Sequence, residues 1–94
     1  MATSERSVAF RDINPQAPTH VLVVSRDHHA NVGELAAADP AALADLIGLA
    51  TAVAEQEGLE GHRLIFNTGE AGGQTVFHVH GHVLGGSRLG EGLV

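Results

Sequence analysis

The chain has 94 residues, of which 44% are apolar and only three are aromatic. This length and composition predict one globular domain whose modest core is built from Val, Leu, Ile and Ala. The formal net charge of −6 argues against a protein that coats a nucleic-acid backbone, although it leaves open a nucleotide bound in a small pocket.

Several residue types are missing, and each absence excludes a kind of chemistry. Without cysteine the chain has no disulfides, thiolate metal ligands or thiol nucleophiles. Without lysine, any phosphate would be held mainly by histidines, amides, hydroxyls or backbone N–H groups. The first residues lack the apolar run of a signal peptide, and the longest apolar stretch, residues 46–54, is too short to span a bilayer. We therefore expect a cytoplasmic protein that binds neither membranes nor nucleic acid.

The first third of the chain predicts two strands. Residues 7–13 alternate loosely and are rich in strand formers, and residues 20–25 (HVLVVS) read as a buried strand. Two prolines make the connector, residues 14–19, rigid and non-β. Residues 26–34 hold polar residues and a glycine and are predicted to form a loop.

A helix is predicted from Pro40 to about Glu57, because Asp39 can cap it, Pro40 suits its first turn and Gly58 can end it. The expected core face consists of Leu43, Leu46, Ile47, Ala50, Val53 and Ala54. A second apolar flank consists of Ala42, Leu49 and Ala52. One flank would face a sheet. The other would face a second subunit, or its alanines would simply tolerate solvent.

The last third predicts two more strands around a glycine-rich loop. Residues 62–67 and 75–84 have strand composition, and residues 68–74 (TGEAGGQ) form the loop between them. The tail from Gly85 to Val94 is weakly patterned. The order strand, strand, helix, strand, strand predicts an α+β fold with a helix over an antiparallel sheet.

Three histidines, His78, His80 and His82, alternate along the last predicted strand and should share one face, about 7 Å apart. The intervening residues, which would face the helix, are Val79, Gly81 and Val83. One interpretation is a solvated, histidine-rich strand face. A second is a zinc site completed by His20, His82 or a carboxylate. The third is catalysis, in which a neutral imidazole attacks phosphorus and a neighbouring histidine donates a proton.

The surroundings favour the catalytic interpretation. The loop at residues 72–75 offers backbone N–H groups that can form an anion-binding nest, and Asn67 could donate an amide to phosphate. Asp12 could accept ribose hydroxyls, and His20 could support the triad. Taken singly, the loop is more typical of a hairpin turn, Asn67 of an ordinary turn residue, Asp12 of a solvated carboxylate and His20 of a core histidine. Their joint presence with the three alternating histidines favours catalysis. The histidines expected only at the surface are His28, His29 and His62.

Three stretches together carry a family resemblance. HVHGHVLGG, residues 78–86, resembles the histidine-triad (HIT) signature. AFRDINPQAPTHVLVV, residues 9–24, and NTGEAGGQTVFHVH, residues 67–80, are similar to the Hint branch of purine nucleoside phosphoramidases. The similarity extends from about Glu5 to Arg88.

The resemblance implies an HIT-like α+β fold, with an antiparallel sheet of about four to five strands on one long helix plus a short helix. It implies a single HIT domain over residues 1–94 and a homodimer whose two sheets join. The implied reaction is hydrolysis of adenosine 5′-phosphoramidates or aminoacyl-adenylate-like substrates to AMP through a covalent nucleotidyl-histidine. Neither a cofactor nor a metal is required for this chemistry.

The resemblance also implies roles for individual residues. His80 would be the nucleophile, His82 would contact the phosphate and assist the leaving group, and His78 and His20 would order the triad. The residues expected to hold the phosphate are Asn67, Gly73 and Thr75. Asp12 would bind the ribose. The residues expected at the nucleobase are Phe10 and Ile13.

Three features depart from the family pattern. Gly81 stands where relatives carry a bulky apolar residue, so it leaves a gap or permits close approach of another chain segment. The N-terminal part of the usual domain is expected to be missing, and residues 87–94 lack the Trp-Pro-Pro ending. The alternatives are a dinucleoside polyphosphate hydrolase, as in the Fhit branch, or a non-catalytic nucleotide- or zinc-binding module.

Overall fold

The computed structural model describes residues 1–90; the end of the weakly patterned tail, residues 91–94, lies outside the described part. The strands are β1 (Ala2–Thr3), β2 (Ser7–Arg11), β3 (Thr19–Ser25), β4 (His62–Ile65) and β5 (His80–Gly85). The helices are α1 (Val32–Ala38) and α2 (Pro40–Gln56), and a single 3₁₀ turn spans Glu70–Gly72.

The five strands form one antiparallel sheet in the order β1-β2-β3-β5-β4. This arrangement, with both helices, confirms the predicted α+β fold. β3 is the middle strand of the sheet and pairs with β5 on one side, with Leu22 opposite His82 and Val24 opposite His80. Residues opposite each other on antiparallel strands point to the same face, so the outer face carries histidines and the inner face carries valines.

The core lies between the inner face of the sheet and α2. Val21, Val23 and Val83 are fully buried there against Leu46 and Val53. The Asp39 carboxylate accepts the Ala42 N–H at 3.2 Å, which confirms the predicted N-cap of α2. Leu35 of α1 is also fully buried, so the short helix extends the same core.

The buried face of α2 is rotated from the predicted one. Ile47, expected in the core, is 38% exposed, whereas Leu49 from the second flank is buried. The helix meets the sheet along the line of Leu46, Ala50 and Val53, so the flank beside Leu49 is covered and Ile47 lies at the rim. Periodicity identified an apolar helix, but the packing partner decided which flank is covered.

Two predicted element boundaries near the N-terminus were wrong. The first strand ends at Arg11 rather than residue 13, because Asp12 Oδ1 accepts the Asn14 N–H at 2.7 Å and turns the chain. The predicted loop at residues 26–34 already contains the start of α1, which the Asn31 side chain caps by accepting the Glu34 N–H. β1, which contains only two residues, was not predicted.

The last predicted strand, residues 75–84, begins only at His80. Before that point the chain contacts the loop after β3 instead of a strand: the Val79 N–H donates to the His29 carbonyl at 2.8 Å. Gln74 donates from Nε2 to the carbonyls of Ala30 and Val76, at 2.6 and 3.0 Å. His78 therefore lies outside the strand ladder, although His80 and His82 share a strand face as predicted.

Gly81 has a packing explanation. A Cβ built on this residue would lie 3.0 Å from Leu64 Cδ1 and from two ring atoms of Phe66. Leu64 and Phe66 thus occupy the volume that a side chain at position 81 would need, and the position is a close approach rather than a gap.

Within residues 1–90, no helix has both the length and the apolar character needed to cross a membrane.

We predict that Gly81→Ala lowers the free energy of unfolding by about 1 kcal/mol, because Leu64 and Phe66 must shift to accept the methyl group. The matched control is Gly48→Ala on α2, where an added Cβ meets nothing within 4 Å. That substitution should stabilise the protein by about 0.5–1 kcal/mol. Urea unfolding followed by circular dichroism measures both, and equal effects of the two substitutions would contradict this packing explanation.

Candidate active site

The candidate site is a row of imidazoles on the outer face of the sheet. His80 and His82 project from β5, their ring centroids 5.1 Å apart, and both are half-buried. His20 of β3 lies beside His82 at a centroid distance of 5.2 Å and is only 6% exposed. The pairing of β3 with β5 brings these rings together, because Leu22 lies opposite His82 and leaves His20 diagonal to it.

One hydrogen bond assigns the tautomer of His80. Its Nδ1 lies 2.7 Å from the main-chain oxygen of His78. A carbonyl oxygen only accepts, so His80 must carry its hydrogen on Nδ1. In the neutral ring Nε2 then has a free lone pair, which is the form that a nitrogen nucleophile requires.

A second set of hydrogen bonds assigns the tautomers of His20 and His82. The Gln16 N–H donates to His20 Nδ1 at 3.0 Å, so neutral His20 carries its hydrogen on Nε2. That Nε2 lies 3.0 Å from His82 Nδ1 and 3.5 Å from Asp12 Oδ2. His82 Nδ1 is therefore an acceptor, and neutral His82 carries its hydrogen on Nε2. The two strand histidines thus differ: His80 has a free Nε2 lone pair, and His82 has an Nε2–H.

The surroundings hold His82 in its neutral form. Burial lowers the pKa of His82 below its ordinary value of 6.5, and the neighbouring His80 and His20 lower it further. Asp12 acts in the opposite direction, because its carboxylate favours the charged ring. At neutral pH His82 is therefore mainly neutral and offers its Nε2–H as a hydrogen-bond donor.

The first histidine of the triad belongs to a separate pair. His78 Nε2 donates to the Ser25 carbonyl at 2.7 Å, and His78 Nδ1 lies 2.9 Å from Nδ1 of His28. His28 is exposed, as predicted, but the expectation that it lies apart from the triad was wrong, because its ring contacts His78. No local pattern indicated this contact, since the two residues are 50 positions apart. Both nitrogens of His78 are occupied, so His78 is unsuited to the zinc chelate considered from its spacing.

The predicted nucleobase and ribose residues lie along the same face or at its end. Phe10 of β2 is opposite Leu22, and Leu22 is opposite His82, so the three side chains form a row across the outer face. Phe10 is 42% exposed and Ile13 is 92% exposed, which leaves both apolar side chains accessible. Asp12 is half-buried beside His20.

The glycine-rich loop differs from the predicted anion nest. The N–H groups of Gly72 and Gln74 donate to the Gly69 carbonyl, and that of Gly73 donates to Glu70, so these three amides are used within the loop. The loop does bring together two predicted phosphate residues. A Cβ built on Gly73 would lie 3.9 Å from Asn67 Nδ2. Thr75 is exposed just beyond the loop.

Most of the arginines are engaged elsewhere. Arg6 and Arg11 pair with Asp39 and Glu57, each at 2.7 Å. Arg26 donates to the Ser4 carbonyl and Arg63 to the Gly90 carbonyl. The described contacts of these four guanidinium groups are thus with Asp39, Glu57 and two main-chain carbonyls, and none is with a histidine of the row.

One group of side chains in the described part of the chain could hold a metal ion. Asp12, His20 and His82 each offer one ligand atom, and these atoms all lie within 4.8 Å of one another. Imidazole nitrogens with a carboxylate oxygen are a ligand set that zinc accepts. In the present geometry, however, His20 Nε2 and His82 Nδ1 satisfy each other by a hydrogen bond.

Comparison with known proteins identifies the family. The model of the HIT domain matches residues 1–89. An uncharacterized HIT-like protein of Synechococcus elongatus is 52% identical over 83 residues, which are 87% of this chain and 73% of that protein. The purine nucleoside phosphoramidase of Escherichia coli is 49% identical over 87 residues, covering 90% of this chain and 73% of the enzyme.

Solved structures similar to this chain belong to the same family. An HIT family hydrolase from Clostridium thermocellum superposes with a TM-score of 0.91 at 45% identity, covering 99% of this chain and 83% of that one. This chain belongs to the HIT family. The named relatives support an enzyme of the hydrolase class.

We predict that the His82 ring titrates below pH 6.5 and that Asp12→Asn lowers its pKa further, because the substitution removes the one carboxylate that favours the charged ring. The measurement is the pH dependence of the His82 Cε1–H resonance in two-dimensional NMR spectra. Glu60→Gln, at an exposed position, is the matched control and should leave the titration unchanged. A rise of the His82 pKa in Asp12→Asn would contradict the assigned electrostatics.

Proposed function

We propose that this protein hydrolyses the P–N bond of adenosine 5′-phosphoramidates, or the corresponding bond of aminoacyl-adenylate-like substrates, through a covalent nucleotidyl-His80 and releases AMP. The observation that carries the proposal is the hydrogen bond from His80 Nδ1 to the His78 carbonyl. It leaves Nε2 with a free lone pair, ready for attack without prior loss of a proton.

The chemistry balances with a neutral imidazole. The His80 Nε2 lone pair forms a bond to phosphorus while the P–N bond breaks, and the leaving nitrogen keeps that electron pair and takes a proton from solvent. The substituted ring then carries positive charge, which the His78 carbonyl stabilises through Nδ1–H. Water next attacks phosphorus, the P–Nε2 bond breaks, and water releases the proton that balances the one gained by the amine.

His82 and His20 support the phosphoryl group in this proposal. The Nε2–H that we assign to His82 would donate to a phosphoryl oxygen or to the leaving nitrogen, and His20 holds the His82 ring through the 3.0 Å contact. Of the three residues expected at the phosphate, Asn67 and Thr75 would hold the remaining oxygens, and Gly73 would only leave room beside Asn67. Because the Gly73 N–H donates within the loop, Asn67 and Thr75 would supply side-chain donors.

The same face supplies candidate contacts for the nucleoside. Phe10 and Ile13 offer exposed apolar surface that a purine could cover. The Asp12 carboxylate already accepts the Asn14 N–H, but its oxygens retain lone pairs for ribose hydroxyls. The name of the Escherichia coli relative supports a purine nucleoside phosphoramidate as the substrate class.

We predict that His80→Ala lowers AMP release from adenosine 5′-phosphoramidate by about 10³-fold or more, because no other group takes the place of the nucleophile. Chromatographic separation of AMP measures the rate. Intact-protein mass spectrometry of the wild type, quenched during turnover, should show one nucleotidyl group on His80. His62→Ala removes an exposed imidazole from β4 and is the matched control. An active His80→Ala variant would overturn the mechanism.

The same assay separates the alternatives. Faster turnover of diadenosine triphosphate than of the phosphoramidate would favour a dinucleoside polyphosphate hydrolase. Tight AMP binding without turnover would favour a non-catalytic nucleotide-binding module. Activity lost in EDTA and restored by Zn²⁺ would favour a metal centre at Asp12, His20 and His82.

A single HIT domain over residues 1–94 and a cytoplasmic location remain predictions. We also propose a homodimer in which the sheets of the two subunits join. Within residues 1–90, β4 pairs only with β5, so the other edge of β4 has main-chain groups free to pair with a second copy. Light scattering after size-exclusion chromatography should give twice the chain mass. A monomer at about 100 μM would count against a stable dimer.

A further inference from the structure

A group of contacts clamps the chain immediately before β5. His78 Nε2 donates to the Ser25 carbonyl at 2.7 Å, and the Val79 N–H donates to the His29 carbonyl at 2.8 Å. The His28 and His78 rings meet through their Nδ1 atoms at 2.9 Å, with centroids 5.1 Å apart. The segment that follows β3 thus holds the segment that precedes the nucleophile.

This clamp matters because His78 contributes its main-chain oxygen to the site. That oxygen accepts the Nδ1–H of His80 and thereby selects the tautomer with a free Nε2. Strand pairing begins only at His80, so the ladder between β3 and β5 does not include His78. The position of the His78 carbonyl therefore depends on the clamp.

Within the clamp, the direction of each hydrogen bond follows from the acceptors. The Ser25 carbonyl only accepts, so neutral His78 carries its hydrogen on Nε2 and leaves Nδ1 as a lone pair. His28 Nδ1 must then donate to His78 Nδ1. Ser25 and His29 act through main-chain oxygens that any side chain would provide, whereas the contribution of His28 requires its ring.

We propose that His28 is a positioning residue for the His80 nucleophile. It acts through His78: the His28 Nδ1–H fixes the His78 ring, the fixed ring holds the His78 carbonyl, and the carbonyl keeps the His80 hydrogen on Nδ1. This inference rests on the proposed function, in which His80 Nε2 attacks phosphorus. It assigns a role to an exposed loop residue outside the histidine triad.

The first experiment compares three substitutions in steady-state hydrolysis of adenosine 5′-phosphoramidate. His28→Ala should lower kcat by about ten- to a hundredfold with KM changed less than twofold, because a displaced nucleophile slows the chemical step and leaves substrate contacts in place. His28→Asn should recover most of kcat, because its amide N–H can replace the Nδ1 donor. His62→Ala should retain wild-type values.

The second experiment does not depend on activity. Nitrogen-15 chemical shifts of the imidazole rings report which nitrogen carries the hydrogen. Wild-type His80 should be protonated on Nδ1 at pH 7.5, and His28→Ala should shift a measurable fraction of His80 toward the Nε2–H tautomer. His28→Asn should restore the wild-type pattern, which a merely structural role of the ring would not do.

The outcomes separate this inference from the proposed function. Wild-type kcat and an unchanged His80 tautomer in His28→Ala would overturn the role of His28, while an inactive His80→Ala would still support the nucleophile. A His80 ring protonated on Nε2 in the wild type would overturn the chain of contacts from His28 through His78 to His80.

If His28→Ala does not fold, a folded His28→Gln variant provides the comparison with His28→Asn, because its longer side chain moves the amide away from the Nδ1 position. Equal kcat values for Gln and Asn would overturn the donor role.

Discussion

The pairing of β3 with β5 is the constraint on which both the fold and the site depend. These strands form the middle of the sheet, and their register places Val23 opposite Gly81 on the inner face and Leu22 opposite His82 on the outer face. A slip of one residue would bury imidazoles in the core and expose valines, so burial of the valine face strongly specifies the register. The apolar core and the histidine row are thus two consequences of one pairing.

Main-chain carbonyls give the outer face its chemical asymmetry. His80 and His78 each donate to a carbonyl oxygen, whereas His82 accepts from His20, which in turn accepts from a backbone N–H. A carbonyl oxygen can only accept a hydrogen bond and a backbone N–H can only donate one, so each of these neutral rings has one possible tautomer. Neighbouring rings of the same residue type therefore receive different roles, a lone pair on His80 Nε2 and a hydrogen on His82 Nε2, without any charged partner on His80.

The sequence supported much of the fold but not its details. Asp39, Pro40 and Gly58 bounded α2 because capping chemistry is local, and alternation correctly separated His80 and His82 from Val79 and Val83. The strand prediction failed at residues 75–79, because the β-prone stretch there contacts the loop after β3 rather than a strand. Gly81 was unexplained until Leu64 and Phe66 were seen to occupy its side-chain volume.

By itself the sequence determined the residue types and their periodicity: the alternating histidines, the capped helix, and a composition without lysine or cysteine. The resemblance of its motifs pointed to the HIT family, which the comparisons confirm. Only the tertiary structure decided which nitrogen of each histidine carries a hydrogen and that His28 joins the triad. The physical reason is distance along the chain. The contacts of His28 with His78 and of His20 with His82 join residues 50 and 62 positions apart, and no local pattern specifies such hydrogen bonds. The bond from His80 to the His78 carbonyl spans only two positions, but the segment that carries this carbonyl is held by the distant Ser25 and His29 carbonyls.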